Sequence, residues 1–145
     1  NSPFTEESMQ AMLERMGDMA EHVARVARRR HPSHAVPASM RPTFLEMGQV
    51  AERMAEKLSS TVESRDVEAA LELDGDDDRM DTLHRQLFVT MTDPAWPYDV
   101  ETAIDLTLAN HYYERFADHV VSIADRVVFL ATGERYEDLL PRHRD

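Results

Sequence analysis

The sequence predicts an all-α protein in which one helix precedes a three-helix bundle of up-down-up topology. Apolar residues recur at three- and four-residue steps through four long stretches, which is the period of an amphipathic helix. The chain has only four glycines, and most of its seven prolines lie between those stretches. Nine methionines supply adaptable core side chains. A chain of 145 residues suits one domain.

The first helix is predicted to run from about Thr5 to Arg30, so residues 1–31 are assigned to it. Pro32 and Pro37 cannot continue a helix, and residues 32–37 are therefore a linker. The bundle is assigned to residues 38–134. Residues 135–145 are expected to be a flexible tail because they are mostly polar.

The second helix is predicted to begin near Ser39, a good N-cap residue, with Pro42 in its first turn, and to end near Ser64. Its apolar stripe consists of Met40, Phe44, Met47, Ala51, Met54, Leu58 and Thr61 or Val62. The positions expected to face outward are Glu46, Glu52, Arg53, Glu56 and Lys57. A stripe this regular predicts a structural role.

The third helix is predicted to start after the N-cap Asp66 and to last until about Thr92. Its apolar stripe of Val67, Ala70, Leu73, Met80, Leu87 and Met91 is interrupted by Asp77 and His84, and Asp81 lies one turn beyond Asp77. Asp74, Asp76 and Asp78 have the spacing of a calcium loop. Arginines stand where that loop needs its glycine and its last glutamate, so we expect these three residues to form a solvated face.

The fourth helix is predicted to follow Pro97 and to end at Thr132, with Gly133 as a left-handed cap. Glu114 and Asp118 are four residues apart and lie on one face of it. The helix around them is mostly apolar, which predicts that the pair is buried. A buried carboxylate is either protonated or matched to a cation, so the pair needs a partner.

The same pattern occurs earlier in the chain. The stretch LERMGDMAEHVARVA begins at Leu13, and YERFADHVVSIADRV begins one hundred positions later. Glu14, Arg15, Asp18 and Ala24 recur as Glu114, Arg115, Asp118 and Ala124. A repeat inside two similar apolar frames indicates two copies of one supersecondary unit.

Both stretches, together with LELDGDDDRMDTLHRQL, resemble the repeated signature of the PhoU family, and the resemblance runs from about Met9 to Glu134. The family is a pair of three-helix bundles. The resemblance therefore implies that residues 1–31 are the last helix of a first bundle whose first two helices are missing, and that residues 38–134 are a complete second bundle.

Two helices joined by a short loop are antiparallel neighbours, so Asp77 and Asp81 can face Glu114 and Asp118. Such an oxygen-rich site favours hard cations, or iron with carboxylate bridges. The resemblance implies metal binding at the Glu(Asp)-x-x-x-Asp motifs, whose positions here are Asp77, Asp81, Glu114, Asp118, Glu14 and Asp18. Iron, zinc, magnesium and manganese are all left open. His84, His111 and His119 are further potential ligands that we do not assign.

Two alternatives remain, the first of which involves no metal. Arg15 and Arg115 can neutralise the neighbouring carboxylates, which would make the motifs salt-bridge networks at the bundle surface. The protein would then be a scaffold that binds no metal. A further alternative, a di-metal carboxylate oxidase or storage bundle of the ferritin kind, needs two Glu-x-x-His motifs, and only Asp81-x-x-His84 comes near to one.

The composition limits the partners. A formal net charge of −12 argues against binding nucleic acid or anionic lipid. The chain has no cysteine, which excludes disulfides and thiolate chemistry, and no apolar run of about 20 residues predicts membrane insertion. A cytoplasmic location is expected, peripheral to the membrane where partners hold the protein there.

The resemblance implies a non-enzymatic regulator that links the ATPase of the phosphate ABC transporter to a sensor histidine kinase and represses the phosphate-starvation response. No nucleophile, phosphate loop or cofactor fingerprint is present to indicate an enzyme. A lone first helix would expose a large apolar patch, so a homodimer is expected, unless that helix docks on its own bundle.

Overall fold

In a computed structural model of the chain, the described residues are 7, 10, 11, 14, 15, 18 and 37–140. The described positions before residue 19 are all helical. The rest of the predicted first helix and the linker up to residue 36 lie outside the described residues, as does the end of the predicted tail beyond residue 140.

All regular secondary structure in the described part of the chain is helical. A 3-10 helix at Ala38–Met40 leads into α1 (Arg41–Ser64), which is followed by α2 (Val67–Met91), α3 (Val100–Thr132) and the short α4 (Tyr136–Leu139). Each of the three long helices packs against the other two. The short connections make consecutive helices antiparallel. The predicted all-α three-helix bundle is confirmed.

Local chemistry sets the helix ends. Asp66 Oδ1 accepts a hydrogen bond from the backbone N–H of Ala69 at 3.1 Å, and Asp99 Oδ1 accepts one from Thr102 at 2.7 Å. Gly133 ends α3 in the predicted left-handed conformation, with φ of 75°. Ser39 is not the cap we expected. It lies in the 3-10 helix, and its hydroxyl is hydrogen-bonded to that of Tyr98 at 3.1 Å.

The core forms where the inward stripes of the three long helices meet. It comprises Met40, Phe44, Met47, Val50, Met54 and Leu58 from the first part of the chain, Ala70, Leu73, Met80, Leu83 and Leu87 from α2, and Leu106, Ala109, Ala117, Val120, Ile123, Ala124, Val127 and Val128 from α3, closed by Tyr136.

The predicted solvated face is wrong at Asp76. The inward positions of α2 include Leu73, Asp76 and Met80, and Asp76 is only 8% exposed. Lys57 Nζ, which we expected to face outward, donates to Asp76 Oδ2 at 2.7 Å. Arg53 Nε lies 3.7 Å from the other carboxylate oxygen. The carboxylate is buried because two cations of α1 neutralise it.

The prediction that the flexible tail begins at residue 135 is also wrong, because Tyr136 is buried in the bundle. Tyr136 in α4 is buried, its backbone N–H donates to Asp125 Oδ1 at 2.9 Å, and its hydroxyl donates to the carbonyl of Leu71 at 3.4 Å. Arg135 pairs with the same Asp125 at 3.1 Å. These contacts fasten α4 across α2 and α3, because the tyrosine ring fills the space between them.

Candidate metal centre

The acidic pairs predicted on α2 and α3 meet where these two helices lie side by side. We call Asp77, Asp81, Glu114 and Asp118 the acidic seam. Burial, and after it the negative charges of Asp118, Asp78, Asp74 and Asp81, raise the pKa of Asp77 to about 6. The negative charge of Asp118 on α3 thus acts on Asp77 on α2.

The predicted burial of Glu114 and Asp118 is wrong. The Glu114 side chain is 39% exposed, and Asp118 is exposed as well. The buried face of α3 runs through Ala117, Val120 and Ile123, which places the acidic pair at the rim of the bundle. Water therefore reaches both carboxylates, and burial alone does not require a cation beside them.

Two carboxylates of the seam already have partners. His84 Nε2 on α2 lies 2.9 Å from Glu114 Oε2 on α3, and Arg85 Nη1 lies 3.3 Å from Asp81 Oδ2. The side chain of Asn110 donates to the backbone carbonyl of His84 at 3.4 Å and ties the helices together at the same level. The sequence marked His84 as a polar residue at an apolar position of its helix, but it did not predict the contact with Glu114.

The other two carboxylates have no such partner. Across residues 37–140, neither Asp77 nor Asp118 forms an ion pair, and Arg115 pairs with neither Glu114 nor Asp118. The prediction that Arg115 neutralises the neighbouring carboxylates is therefore wrong for these two residues. Asp77 and Asp118 repel each other across the seam.

A groove of about 380 Å³ runs beside the seam on α3, lined by His111, Glu114, Arg115, Asp118 and His119. Burial lowers the pKa of His119, and the positive charges of Arg115 and Arg15 lower it further against the opposing effect of Asp118. Arg15, from the earlier copy of the motif, thus lies within electrostatic range of the later copy.

Glu14 and Asp18 flank Arg15 in the earlier copy. Both are helical and exposed. No hydrogen bond or ion pair joins them to the acidic seam among the described residues. Their place in a metal site stays a prediction.

The acidic seam fits a metal ion in donor type, but its side chains are not gathered around one point. Among the described residues, no three His, Asp or Glu side chains converge closely enough to hold an ion. Carboxylate oxygens are the donors that hard cations prefer, and the charges of Asp77 and Asp118 interact between the two helices. To bind an ion, Asp81 and Glu114 would have to give up their contacts with Arg85 and His84.

None of the helices in the described part of the chain combines the length and the apolar character that crossing a lipid bilayer requires.

Comparison with known proteins gives consistent relatives. Residues 44–127 match the family model described as PhoU domain. The chain is 48% identical over 125 residues to the phosphate-specific transport system accessory protein PhoU homolog 2 of Mycobacterium tuberculosis, covering 86% of this chain and 59% of that protein. It is 47% identical over 130 residues to PhoU homolog 1 of Mycobacterium leprae, covering 90% and 59% respectively.

A more distant relative is the PhoU homolog of Deinococcus radiodurans, at 28% identity over 130 residues, covering 85% of this chain and 58% of that protein. The chain thus spans just under three fifths of the length of these curated relatives. No solved structure matches it significantly.

Proposed function

The chain belongs to the PhoU family, and on that basis we propose that it is a non-enzymatic, metal-binding accessory protein of phosphate transport. The names of its relatives support the role in phosphate transport, since they are phosphate-specific transport system accessory proteins. We propose that it acts as an adaptor between the ATPase of the phosphate ABC transporter and a sensor histidine kinase. Its effect would be to repress the phosphate-starvation response when phosphate is plentiful.

The observation that supports the metal-binding part is the pair Asp77 and Asp118, whose negative charges interact between α2 and α3 and which have no ion-pair partner among residues 37–140. Burial of Asp77, and after it the negative charge of Asp118, makes ionisation of Asp77 unfavourable in the folded state. Asp77, Asp81, Glu114 and Asp118 would hold the ion, and Glu14 and Asp18 are the candidate ligands of the earlier copy. Iron, zinc, magnesium and manganese are the candidate metals.

A bound ion supplies positive charge that offsets the repulsion and joins α2 to α3. For an adaptor, the consequence would be that the exposed faces of α2 and α3 keep a fixed position relative to each other. Partners that contact both helices would then meet one surface rather than a range of surfaces. We place this activity in the cytoplasm, next to the membrane where the transporter holds its ATPase, and homodimerisation stays a prediction.

The adaptor role is tested by binding. The full chain, loaded with manganese, is passed over the immobilised transporter ATPase and over the immobilised cytoplasmic part of the kinase, with an unrelated ATPase as control. We expect saturable binding to both partners. Binding to neither, with and without metal, would show that the adaptor role is wrong, whatever the metal content of the protein.

A further inference from the structure

An apolar groove lies at the opposite part of α3 from the acidic seam. It has a volume of about 310 Å³ and is formed by the connection between α2 and α3 together with the first turns of α3. Its lining is almost entirely apolar and consists of Trp96, Tyr98, Val100, Ala103, Ile104, Thr107 and Leu108. We call it the α3 groove.

The side chains that line the α3 groove suit the docking of a helix. Val100 and Ile104 are 74% and 53% exposed, and Leu108 continues the same ridge one turn later. Ala103 and Thr107 have small side chains and line the groove beside this ridge. The rings of Trp96 and Tyr98 meet edge to face with centroids 5.0 Å apart and make one wall.

The surrounding surface is apolar too. Most of the exposed large apolar side chains of residues 37–140 lie at this end of the bundle, namely Leu45, Phe88, Val89, Tyr98, Val100, Ile104 and Leu108. Exposed apolar and aromatic side chains concentrated in one region are typical of a protein–protein interaction site.

The charge around the α3 groove selects the kind of partner. From residue 86 to residue 110 the chain has no lysine or arginine, Asp93 is exposed there, and the whole chain has a formal net charge of −12. This stretch is therefore negative around an apolar centre. A second copy of the chain would bring the same negative charge to the contact, whereas a basic partner is attracted to it.

We propose that the α3 groove docks an amphipathic helix of a partner protein, with apolar residues on one face and lysine or arginine on the flanks of that face. Helices of this type place side chains at positions i, i+4 and i+7 into an apolar groove. The proposal rests on the proposed adaptor role only in requiring that a partner exists. The docking needs no metal, because no residue of the acidic seam lines the α3 groove.

The test uses the full chain and a fluorescent peptide of about 18 residues, long enough to form a helix on binding. The peptide carries leucine on one face and lysine on its flanks, and its affinity is measured by fluorescence anisotropy. We expect Ile104→Glu to weaken binding at least tenfold. Val100→Glu, at a more exposed position, is expected to act in the same direction and guards against a folding defect in the first variant.

The matched control is Leu130→Glu, which places the same charge at a residue of similar exposure, 57%, at the other end of α3. It is expected to change the affinity less than twofold. A scrambled peptide of the same composition controls for general attraction to an acidic protein. Equal binding of the scrambled peptide, or equal loss in the Leu130 variant, would overturn the proposal.

Light scattering of the same variants tests the other occupant. A concentration-dependent dimer that Ile104→Glu abolishes, together with no peptide binding, would assign the α3 groove to a second copy of the chain and would also overturn the proposal. A failure of the metal site in separate experiments would leave peptide binding unchanged.

Discussion

Replacing Asp77 with asparagine is expected to stabilise the protein near neutral pH when no metal is present. The pKa of Asp77 is raised from 3.8 to about 6, so the folded protein binds this proton more tightly than the unfolded chain does. Ionisation of Asp77 therefore costs free energy in the folded state. The sign follows from proton linkage: the stability associated with this group falls as the pH rises from 3.8 through about 6. Asparagine has nearly the same size but no charge to lose.

The magnitude follows from the shift. A rise of about two pKa units corresponds to about 3 kcal/mol as a ceiling, at about 1.4 kcal/mol per unit. Asp77 is only half-buried, and solvent screens its interactions with the other carboxylates. We therefore expect a gain of about 1 kcal/mol at neutral pH, which for a domain of this size raises the melting temperature by about 2 to 4 °C.

The assay is thermal unfolding followed by circular dichroism, with a metal chelator present, at neutral pH and near pH 4. The gain is expected at neutral pH and should be small near pH 4, where Asp77 of the folded wild type is protonated. Glu56→Gln, on the exposed face of α1, is the control and should change stability by less than about 0.5 kcal/mol. If Asp77→Asn destabilised the protein at neutral pH, or stabilised it equally at both pH values, unfavourable ionisation of Asp77 through burial and neighbouring charges would be the wrong explanation.

Two further predictions concern the ion pair and the short helix that the sequence did not reveal. Asp76→Ala should lower the free energy of unfolding, measured in urea, by about 2 kcal/mol, because Lys57 and Arg53 lose a buried partner. Asp78→Ala, at an exposed position, should lower it by less than about 0.5 kcal/mol. Equal effects of the two would mean that Asp76 is solvated. Tyr136→Ala removes a buried ring and should lower the free energy of unfolding by about 3 kcal/mol. It should also speed amide hydrogen exchange in α4. Glu137→Ala, at an exposed position, should have neither effect. Unchanged exchange in the Tyr136 variant would show that the ring does not hold α4.

The helices were predictable because their signals are local. The Asp66 cap and the Gly133 end depend on a few neighbouring residues, and the prolines mark the connections. The phase of the buried stripe on α2 was harder to predict, since both Asp76 and Asp77 lie about one turn from Leu73 and Met80. Burial of Asp76 is decided by Lys57 on another helix, and the sequence of α2 carries no information about that contact.

The candidate site was predicted in part for the same reason. The four-residue spacing placed Asp77 with Asp81 and Glu114 with Asp118, and α2 packs against α3, so that the charges of Asp77 and Asp118 interact. That these residues hold a metal stays a prediction. The exposure of Glu114 could not be read from its apolar neighbours, because a helix at the rim of a bundle can be apolar on more sides than it buries. The α3 groove was missed since a stripe of Val100, Ile104 and Leu108 reads as core unless the packing is known.

The proposed function depends most on a cation being held at the acidic seam. The direct measurement is the metal content of the full chain, by plasma mass spectrometry after equilibrium dialysis against iron, zinc, magnesium or manganese, with the melting temperature of each sample. Wild type should retain at least one ion per chain and melt at a higher temperature than the chelated protein. Glu114→Ala with Asp118→Ala should lose both effects, and Glu56→Ala with Glu63→Ala, on exposed α1 positions, should keep them. Equal metal content and equal melting temperature in the wild type and the Glu114/Asp118 variant would contradict a metal site at the seam.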